Sequence, residues 1–416
     1  MSETSCTIDG VGPIPIFVPE SVGNVGDPVR QAGSCGEAVY PLGGRTHLDF
    51  GNPPRRRGLA ADLRGLNQVN DYPARDMTVT VQAGITISRL QEFLSAEKQR
   101  LPIDIPMPER ATVGGSVATN TSGPRRYAYG TLRDYVIGIR MVNAEGQEVK
   151  AGGKVVKNVA GYDLCKLYVG SLGTLGIVTE VTLKLKPQPE DQAIILIGCE
   201  SAQLETVLEA IHVSCTRPVC VDLLNRSEDS SIGRLDHRPQ GSWVVVVGFE
   251  DNSEAIDWQV KQLLSELQEL KSGMPEPIRG EACKPVWKFM TEFQARPDAR
   301  MTFKANFLPH ATAAFCTRAE SFPERPLLQA HAGNGIVFGH FGPELTLDRA
   351  RTVLEELLSA AETAKGNVVV LRCPPDWKRD LPVWGRPRRD AWLMRRVKTR
   401  LDPNNIFNPG RFVDAI

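Results

Sequence analysis

The chain has 416 residues, and its 49 Lys and Arg residues balance 49 Asp and Glu residues, so the formal net charge is zero. This length predicts two or three domains, and the balanced charge argues against a nucleic-acid-binding protein, which usually carries a basic excess. No apolar run approaches the ~18 residues of a membrane span, and nine cysteines without a ligand-like spacing favour a reducing compartment and no metal centre.

The first half of the chain has the pattern of short strands separated by turns. Residues 78–82, 135–142 and 176–185 are rich in β-branched residues and predict strands. One helix is predicted after Thr86, which can cap it, with Leu90, Phe93 and Leu94 on one face.

Three glycine-rich turns lie next to these strands. They occupy residues 41–46 (Pro-Leu-Gly-Gly-Arg-Thr), 111–120 and 170–179. Glycine lets the main chain approach a ligand closely, and successive backbone N–H groups in such turns form nests that bind anions. The three turns together therefore predict one extended phosphorylated ligand that is held mainly by backbone groups.

The best domain boundary is the polar segment 186–191, which contains two prolines. Beyond it, strands predicted at 194–198, 243–249 and 367–371 alternate with amphipathic helices, which favours an α+β domain with one sheet and helices on one face. Residues 390–401 predict a last helix. The Asn, Pro and Phe residues of 402–412 predict an ordered tail that docks on the protein.

These motifs resemble one family. The three glycine-rich turns, residues 157–164 (Lys-Asn-Val-Ala-Gly-Tyr-Asp-Leu) and the tail 401–410 are similar to the vanillyl-alcohol-oxidase-like flavoproteins with a PCMH-type FAD-binding domain. Within that superfamily the chain resembles the FAD-binding subunits of bacterial glycolate oxidase. The resemblance is strong over residues 35–190, and weaker beyond, where it depends on residues 331–335 and the tail.

The resemblance implies an α+β fold in three segments. Residues 1–188 would form the PCMH-type FAD-binding domain, and residues 189–389 a cap domain with an antiparallel sheet and helices on one face. Residues 390–416 would form a helix and tail that dock back on the FAD domain.

The resemblance also implies the cofactor, FAD, and the residues that bind it. These are Pro41, Gly43, Gly44, Arg45, Thr46, Thr112, Gly114, Gly115, Asn120, Gly130, Arg133, Gly173, Thr174, Gly176 and Ile177. Some members link FAD covalently through a histidine directly after the Gly-Gly pair, but Arg45 stands there in this chain. We therefore expect non-covalent FAD, with His47 as a partly exposed loop residue.

Catalytic relatives carry a motif of the type His-x-Gly-Asp-Gly-Asn-x-His, and this chain departs from it. His331 is retained, but Asn334 replaces the acid, and Phe338 replaces the second histidine. Leu172 also stands where those relatives often have Glu. His331 is thus a weak catalytic candidate, and its alternative is a histidine packed in the cap.

The resemblance implies a subunit that binds FAD in a complex oxidising glycolate or another small 2-hydroxy acid. A catalytic flavoprotein subunit and an iron–sulfur subunit would complete that complex, which would be cytoplasmic or peripheral on the inner face of the membrane. Two alternatives stay open: a self-sufficient FAD-dependent 2-hydroxy-acid dehydrogenase, and a scaffold that keeps the fold without FAD.

Overall fold

The computed structural model describes residues 4–153, 162–225, 239–268, 277–387 and 389–416. Residues 157–161 of the 157–164 motif therefore lie outside the described residues. The chain forms two compact units. The first contains Met1–Ser122, Thr131–Gln188 and Lys378–Ile416, and the second contains Gly123–Gly130 and Pro189–Trp377.

The described residues form nineteen strands, which are β1 (Ser5–Ile8), β2 (Val11–Phe17), β3 (Ala38–Leu42), β4 (Gly58–Asp62), β5 (Val69–Asp71), β6 (Thr78–Gln82), β7 (Gln99–Arg100), β8 (Val136–Val142), β9 (Glu148–Gly152), β10 (Ile177–Lys184), β11 (Lys186–Pro187), β12 (Asp191–Cys199), β13 (Cys220–Asn225), β14 (Trp243–Asp251), β15 (Ile278–Arg279), β16 (Met301–Asn306), β17 (Leu327–His331), β18 (Ile336–Phe341) and β19 (Asn367–Arg372). The described α-helices are α1 (Gly26–Cys35), α2 (Ile87–Ser95), α3 (Val113–Thr119), α4 (Arg126–Tyr129), α5 (Leu132–Tyr135), α6 (Cys165–Tyr168), α7 (Leu204–Val213), α8 (Ser253–Leu267), α9 (Lys284–Glu292), α10 (Thr312–Glu320), α11 (Leu347–Thr363) and α12 (Ala391–Leu401).

The first unit contains two main sheets, in the orders β1-β2-β4-β3 and β5-β6-β10-β8-β9. The predicted strands β6, β8 and β10 are adjacent and antiparallel in the second of these. The predicted helix is α2, and the Thr86 hydroxyl caps it by accepting the N–H of Arg89. Leu90 and Leu94 are buried as expected, whereas Phe93 is 43% exposed because it packs outward against Tyr72.

The second unit is built on one eight-stranded sheet in the order β15-β12-β14-β13-β17-β18-β16-β19, and every neighbouring pair is antiparallel. Four helices form one layer in the order α8-α7-α10-α11, and α8, α10 and α11 of this layer contact strands of the sheet. Helix α9, which the sequence analysis does not predict, contributes Trp287 and Met290 to a core with Val244 and Val246 of β14. The predicted α+β fold is confirmed, but the helices do not all lie on one face of the sheet. Trp287 of α9 lies against Val244, Val246 and Gly248 of β14, whereas Trp243, which points to the other face, donates to Glu320 of α10.

The units divide between Gln188 and Pro189, where the sequence also places a boundary. Two segments differ from the predicted assignment. Residues 378–389 belong to the first unit, because the fully buried ammonium of Lys378 lies 2.7 Å from the carboxylate of Asp9. Residues 123–130 belong to the second unit, because Arg125 and Tyr129 donate to Glu250 at 2.7 and 2.9 Å.

The tail lies against β3 in the first unit. The N–H of Val39 donates to Ile406 O at 2.7 Å, and the N–H of Asn408 donates back to Val39 O at 3.1 Å. Ile406 and Phe407 are fully buried. The tail thus follows the strand that leads into the first glycine-rich turn.

Candidate functional site

A cleft of the first unit lies beside the loop that follows β3. Two cavities of about 650 and 420 Å³ share seven lining residues and so form one continuous cleft. The shared residues are Pro41, Leu42, Gly43, Thr112, Gly115, Ala118 and Leu172. All three glycine-rich turns predicted from the sequence therefore meet in one place.

Two of these turns are in direct contact because Gly43 and Gly44 carry no side chains. A Cβ on Gly43 would lie 2.2 Å from Thr112 Oγ1, and one on Gly44 would lie 1.7 Å from Arg110 O. Such distances are far below any real Cβ contact, so a larger residue would separate the turns. The glycines are thus required for packing of the turns as well as for the approach of a ligand.

Helix α3 leads away from the cleft. The Thr112 side chain caps its first turn by accepting the Gly115 N–H at 3.3 Å. Gly114, in the same first turn, packs against Ala83 and donates its N–H to Ala83 O at 2.7 Å. The helix ends at Asn120, whose backbone is left-handed with φ 50°.

Arg45 lines the cleft, and its side chain is held by the carboxylate of Asp62. Its guanidinium donates to Asp62 at 2.9 Å, and Arg64 donates to the same carboxylate at 2.7 Å. Burial alone would raise the pKa of Asp62, but the hydrogen bonds from the two arginines outweigh it and hold the pKa below its usual range. Asp62 therefore stays ionised and fixes the direction of Arg45.

The tail contributes two residues that the sequence reasoning missed as site residues. Asn408 donates from Nδ2 to Leu172 O at 2.6 Å, and Arg411 donates from Nη2 to the carbonyls of Leu48 and Phe50 at 2.6 and 2.7 Å. Both line the cleft. The sequence signal was the ordered tail itself, but nothing in it indicates which of its side chains face the cleft.

Most of the fifteen predicted cofactor residues line the cleft. They are Pro41, Gly43, Gly44, Arg45, Thr46, Thr112, Gly114, Gly115, Gly173 and Gly176. His47, which was expected to be only a loop residue, lines it as well, with Nδ1 3.0 Å from Thr46 Oγ1.

Five of the predicted residues are not among those that line the cleft, namely Asn120, Gly130, Arg133, Thr174 and Ile177. Ile177 is fully buried in β10, where it belongs to a hydrophobic core. The Thr174 hydroxyl is used within its own turn, where it donates to Ser171 O at 2.7 Å. Arg133 donates to Lys166 O at 3.4 Å, and Gly130 belongs to the second unit.

In the second unit, His331 ends β17 and is 2% exposed. Its Nδ1 lies 3.0 Å from both carboxylate oxygens of Asp222, and Gln329 donates to the same carboxylate at 2.8 Å. Because the carboxylate accepts, we assign the proton of a neutral His331 to Nδ1, which leaves Nε2 as an acceptor. Nε2 has no hydrogen-bond partner among the described residues.

Lys304 lies on the same face of this sheet, since it pairs with Phe338, and Phe338 pairs with Gln329. Its ammonium is 5.7 Å from the centre of the Phe338 ring. Burial lowers the pKa of Lys304 to about 8, and the charge of Arg126 adds to this shift. The sequence reasoning did not single out Asp222 or Lys304, because a lone charged residue inside an apolar strand has no motif.

Comparison with known proteins identifies the family. Residues 13–152 match the FAD binding domain family, and residues 386–412 match the C-terminal domain of FAD linked oxidases. D-2-hydroxyglutarate dehydrogenase of Xanthomonas citri pv. viticola is 36% identical over 97% of this chain and 90% of its own length. The chain belongs to the FAD-linked oxidase family. It is an FAD-dependent oxidoreductase, and the predicted cofactor and PCMH-type family are confirmed.

The narrower resemblance to glycolate oxidase is one of several. Subunit GlcD of Bacillus subtilis glycolate oxidase is 38% identical, but over 42% of this chain and 37% of that subunit. Subunit GlcE of Escherichia coli glycolate oxidase is 36% identical over 39% of this chain and 46% of that subunit. The chain thus spans less than half of either subunit, whereas the dehydrogenase matches it throughout.

The fold agrees with the family. The structure of 4-ethylphenol oxidase from Gulosibacter chungangensis superposes with a TM-score of 0.72 at 14% identity, covering 95% of this chain and 88% of that one. None of the described helices is both long and apolar enough to cross a bilayer.

The cleft of the first unit fits an FAD molecule. Its backbone-lined turns and the two guanidinium groups of Arg45 and Arg411 suit a pyrophosphate, and none of the residues that line it is an Asp or Glu. Burying the Arg411 guanidinium lowers its pKa, and the carboxylate of Asp9 opposes that shift.

Proposed function

We propose that this chain is the FAD-binding subunit of a complex of the glycolate oxidase type, which oxidises a small 2-hydroxy acid. The observation that carries the proposal is a contrast between the units. The cleft of the first unit has the glycine-rich turns, the capped start of helix α3 and the arginine side chains that would suit FAD. The motif around His331, in contrast, lacks the acid and the second imidazole of catalytic relatives.

The cofactor would lie along the cleft with its pyrophosphate against Gly43, Gly44 and Thr46, and with Gly114 and Gly115 along its length. FAD supplies a two-electron acceptor. The chain's own groups bind and orient it through backbone N–H groups and through Arg45, which Asp62 holds in place. Binding is non-covalent, since Arg45 occupies the position of the linking histidine. Acid precipitation should therefore release all of the flavin into the supernatant.

The altered motif supports a subunit role. Ile336 and Phe338, which stand where the motif of catalytic relatives has Asn and His, are buried in a hydrophobic core. Asn334 cannot act as a general base. The catalytic centre of the complex would then belong to a separate flavoprotein subunit, and an iron–sulfur subunit would carry electrons onward. The similarity to GlcD and GlcE supports such a complex, which would be cytoplasmic or peripheral on the inner face of the membrane.

A self-sufficient 2-hydroxy-acid dehydrogenase is the second candidate. The full-length match to D-2-hydroxyglutarate dehydrogenase favours it, as does the buried pair of Asp222 and His331. In that function Nε2 of His331 would accept the hydroxyl proton of the substrate, and Asp222 would stabilise the resulting imidazolium. Lys304 would supply the cation for the substrate carboxylate.

The first experiment is an anaerobic visible spectrum of the purified chain, recorded while glycolate, D-lactate or D-2-hydroxyglutarate is added. Flavin bands that stay oxidised with all three acids support the subunit role. Bleaching supports the dehydrogenase, and it should then be lost in His331→Asn but kept in His310→Asn, a control at an exposed histidine.

A reconstitution experiment tests the complex directly. The chain is combined with candidate flavoprotein and iron–sulfur subunits, and 2-hydroxy-acid turnover is measured with an artificial electron acceptor. Turnover should depend on this chain and on its bound FAD. If the other subunits work equally well without it, the subunit role is wrong.

A further inference from the structure

Arg411 lines the cleft of the first unit and has a buried nitrogen without a hydrogen-bond partner among the described residues. The side chain is 6% exposed, and its Nη2 is committed to the carbonyls of Leu48 and Phe50. Nη1 has no hydrogen-bond partner among the described residues. Because a buried charged donor that stays unsatisfied carries a large desolvation penalty, this nitrogen calls for a ligand.

The nearby carboxylate of Asp9 does not fill that need. Its Oδ2 lies 4.0 Å from Nη1 of Arg411, beyond hydrogen-bond distance, but only 2.7 Å from the ammonium of Lys378. Lys378 also donates to Gly51 O at 3.0 Å. Lys378 thus holds Oδ2 of Asp9, and Nη1 of Arg411 is left without a hydrogen bond among the described residues.

The cleft itself indicates the chemistry of the ligand. Its lining includes Arg45 and Arg411 and no Asp or Glu. A guanidinium with one nitrogen anchored on carbonyls and another unoccupied is well suited to a phosphate oxygen, which it can reach without losing side-chain freedom on binding.

We propose that Nη1 of Arg411 binds the pyrophosphate of FAD, so that the tail supplies one of the cofactor's charged contacts. The inference rests on the proposed FAD site. Because Nη2 of the same side chain holds the carbonyls of Leu48 and Phe50, docking of the tail and binding of FAD stabilise each other. The sequence-derived FAD residues, which end at Ile177, do not include this contact.

The test compares three variants of the full chain. Arg411→Gln removes the charge, and Arg411→Lys keeps it. Asn52→Ala is the matched control, because Asn52 donates to the tail carbonyls of Gly410 and Phe412 at 3.3 Å without lining the cleft. The affinity for oxidised FAD is measured by quenching of flavin fluorescence, and the ³¹P NMR spectrum of bound FAD is recorded for each protein.

Loss of a charge-assisted hydrogen bond predicts that Arg411→Gln weakens FAD binding about tenfold or more, while Arg411→Lys and Asn52→Ala stay within roughly threefold of wild type. The pyrophosphate resonances should shift in both Arg411 variants and not in Asn52→Ala. If Arg411→Gln does not fold, the Arg411→Lys spectrum carries the test.

Equal losses in all three variants, or unchanged ³¹P resonances in both Arg411 variants, would show that Arg411 only holds the tail and would overturn the inference. An unchanged affinity with a shifted flavin reduction potential would overturn it too, since the cation would then face the flavin ring. Failure of the wild-type chain to bind FAD is a different result, because it would refute the proposed cofactor site.

Discussion

Replacing Lys398 by Met tests how the tail is attached to the cleft of the first unit. Lys398 of α12 is 5% exposed, and its ammonium donates to three oxygens at 2.6 to 2.8 Å. These are Oδ2 of Asp402, the carbonyl of Phe407 in the tail, and the carbonyl of Thr174 in the third glycine-rich turn. Methionine keeps the unbranched shape but removes every donor.

The expected cost follows from what the substitution leaves behind. The Asp402 carboxylate, 1% exposed, would keep only the N–H groups of Ile406 and Phe407, and two buried carbonyls would lose a donor. Breaking a buried ion pair by removing one partner costs about 3 to 5 kcal/mol. We expect a loss of that size in the free energy of unfolding, together with weaker FAD binding.

The assay is urea denaturation of the apoprotein followed by circular dichroism, with the slopes compared to verify that the same transition is measured. Arg395→Ala on the same helix is the control. It removes an ion pair with Asp414 in which the arginine is 61% exposed, so it should cost at most ~1 kcal/mol. The double variant Lys398→Met/Asp402→Asn should be less destabilised than the sum of the single variants, because it leaves no unpaired charge. A loss for Lys398→Met no larger than that for Arg395→Ala would refute the reasoning.

Two further outcomes are expected. Gly44→Ala should lose most of its bound flavin, measured as absorbance near 450 nm per protein, whereas Gly153→Ala, where a Cβ would meet nothing within 4 Å, should keep it; equal flavin content would contradict the packing argument. Burial lowers the pKa of His340 to about 4 from 6.5, so the unfolded state binds the extra proton between these values, and the wild-type stability should fall by about 2 kcal/mol from pH 7.5 to 5. His340→Gln should lack that part of the pH dependence. The free energy of unfolding is measured by urea denaturation at each pH for both proteins, and the same change with pH in wild type and variant would refute the expectation.

The sequence was sufficient where a local pattern decides the structure. Strands β6, β8 and β10 alternate or are continuously apolar, and α2 and α11 have hydroxyl caps at Thr86 and Thr346. The eight-stranded sheet was only partly predicted. Strands β13, β15, β16, β17 and β18 were missed. In β16 and β18, Lys304 and His340 interrupt short apolar runs, and the pairing of all these strands depends on residues far apart in the chain.

The start of the chain was also underestimated. Residues 1–35 are rich in Gly and Pro and predict little regular structure, yet β1, β2 and α1 form there. Helix α1 begins with Gly26, where a Cβ would lie 2.3 Å from the carbonyl of Gly146. Its stability thus comes from tertiary packing, which outweighs its poor helix propensity.

The cleft of the first unit also contains residues that the sequence indicates and one that it does not. The glycines at 43, 44, 114 and 115 can be found from the sequence because glycine is distinctive. Arg411 cannot, because it is one of many arginines and reaches the cleft only after the tail has paired with β3. A residue that reaches a site only through contacts between distant parts of the chain belongs to no local sequence motif, so the sequence alone does not identify it.

The motif around His331 shows why retained residues need not indicate retained chemistry. A Cβ on Gly333 would lie 2.1 Å from the ring of Tyr127, and one on Gly335, whose φ is 63°, would lie 2.1 Å from Phe307 O. Both glycines are therefore required by packing, whatever the unit catalyses. The positions that differ from catalytic relatives, Asn334 and Phe338, are those whose side chains would do the chemistry. Likeness in this motif thus supports the fold of the second unit, and the chemistry must be judged from the behaviour of His331.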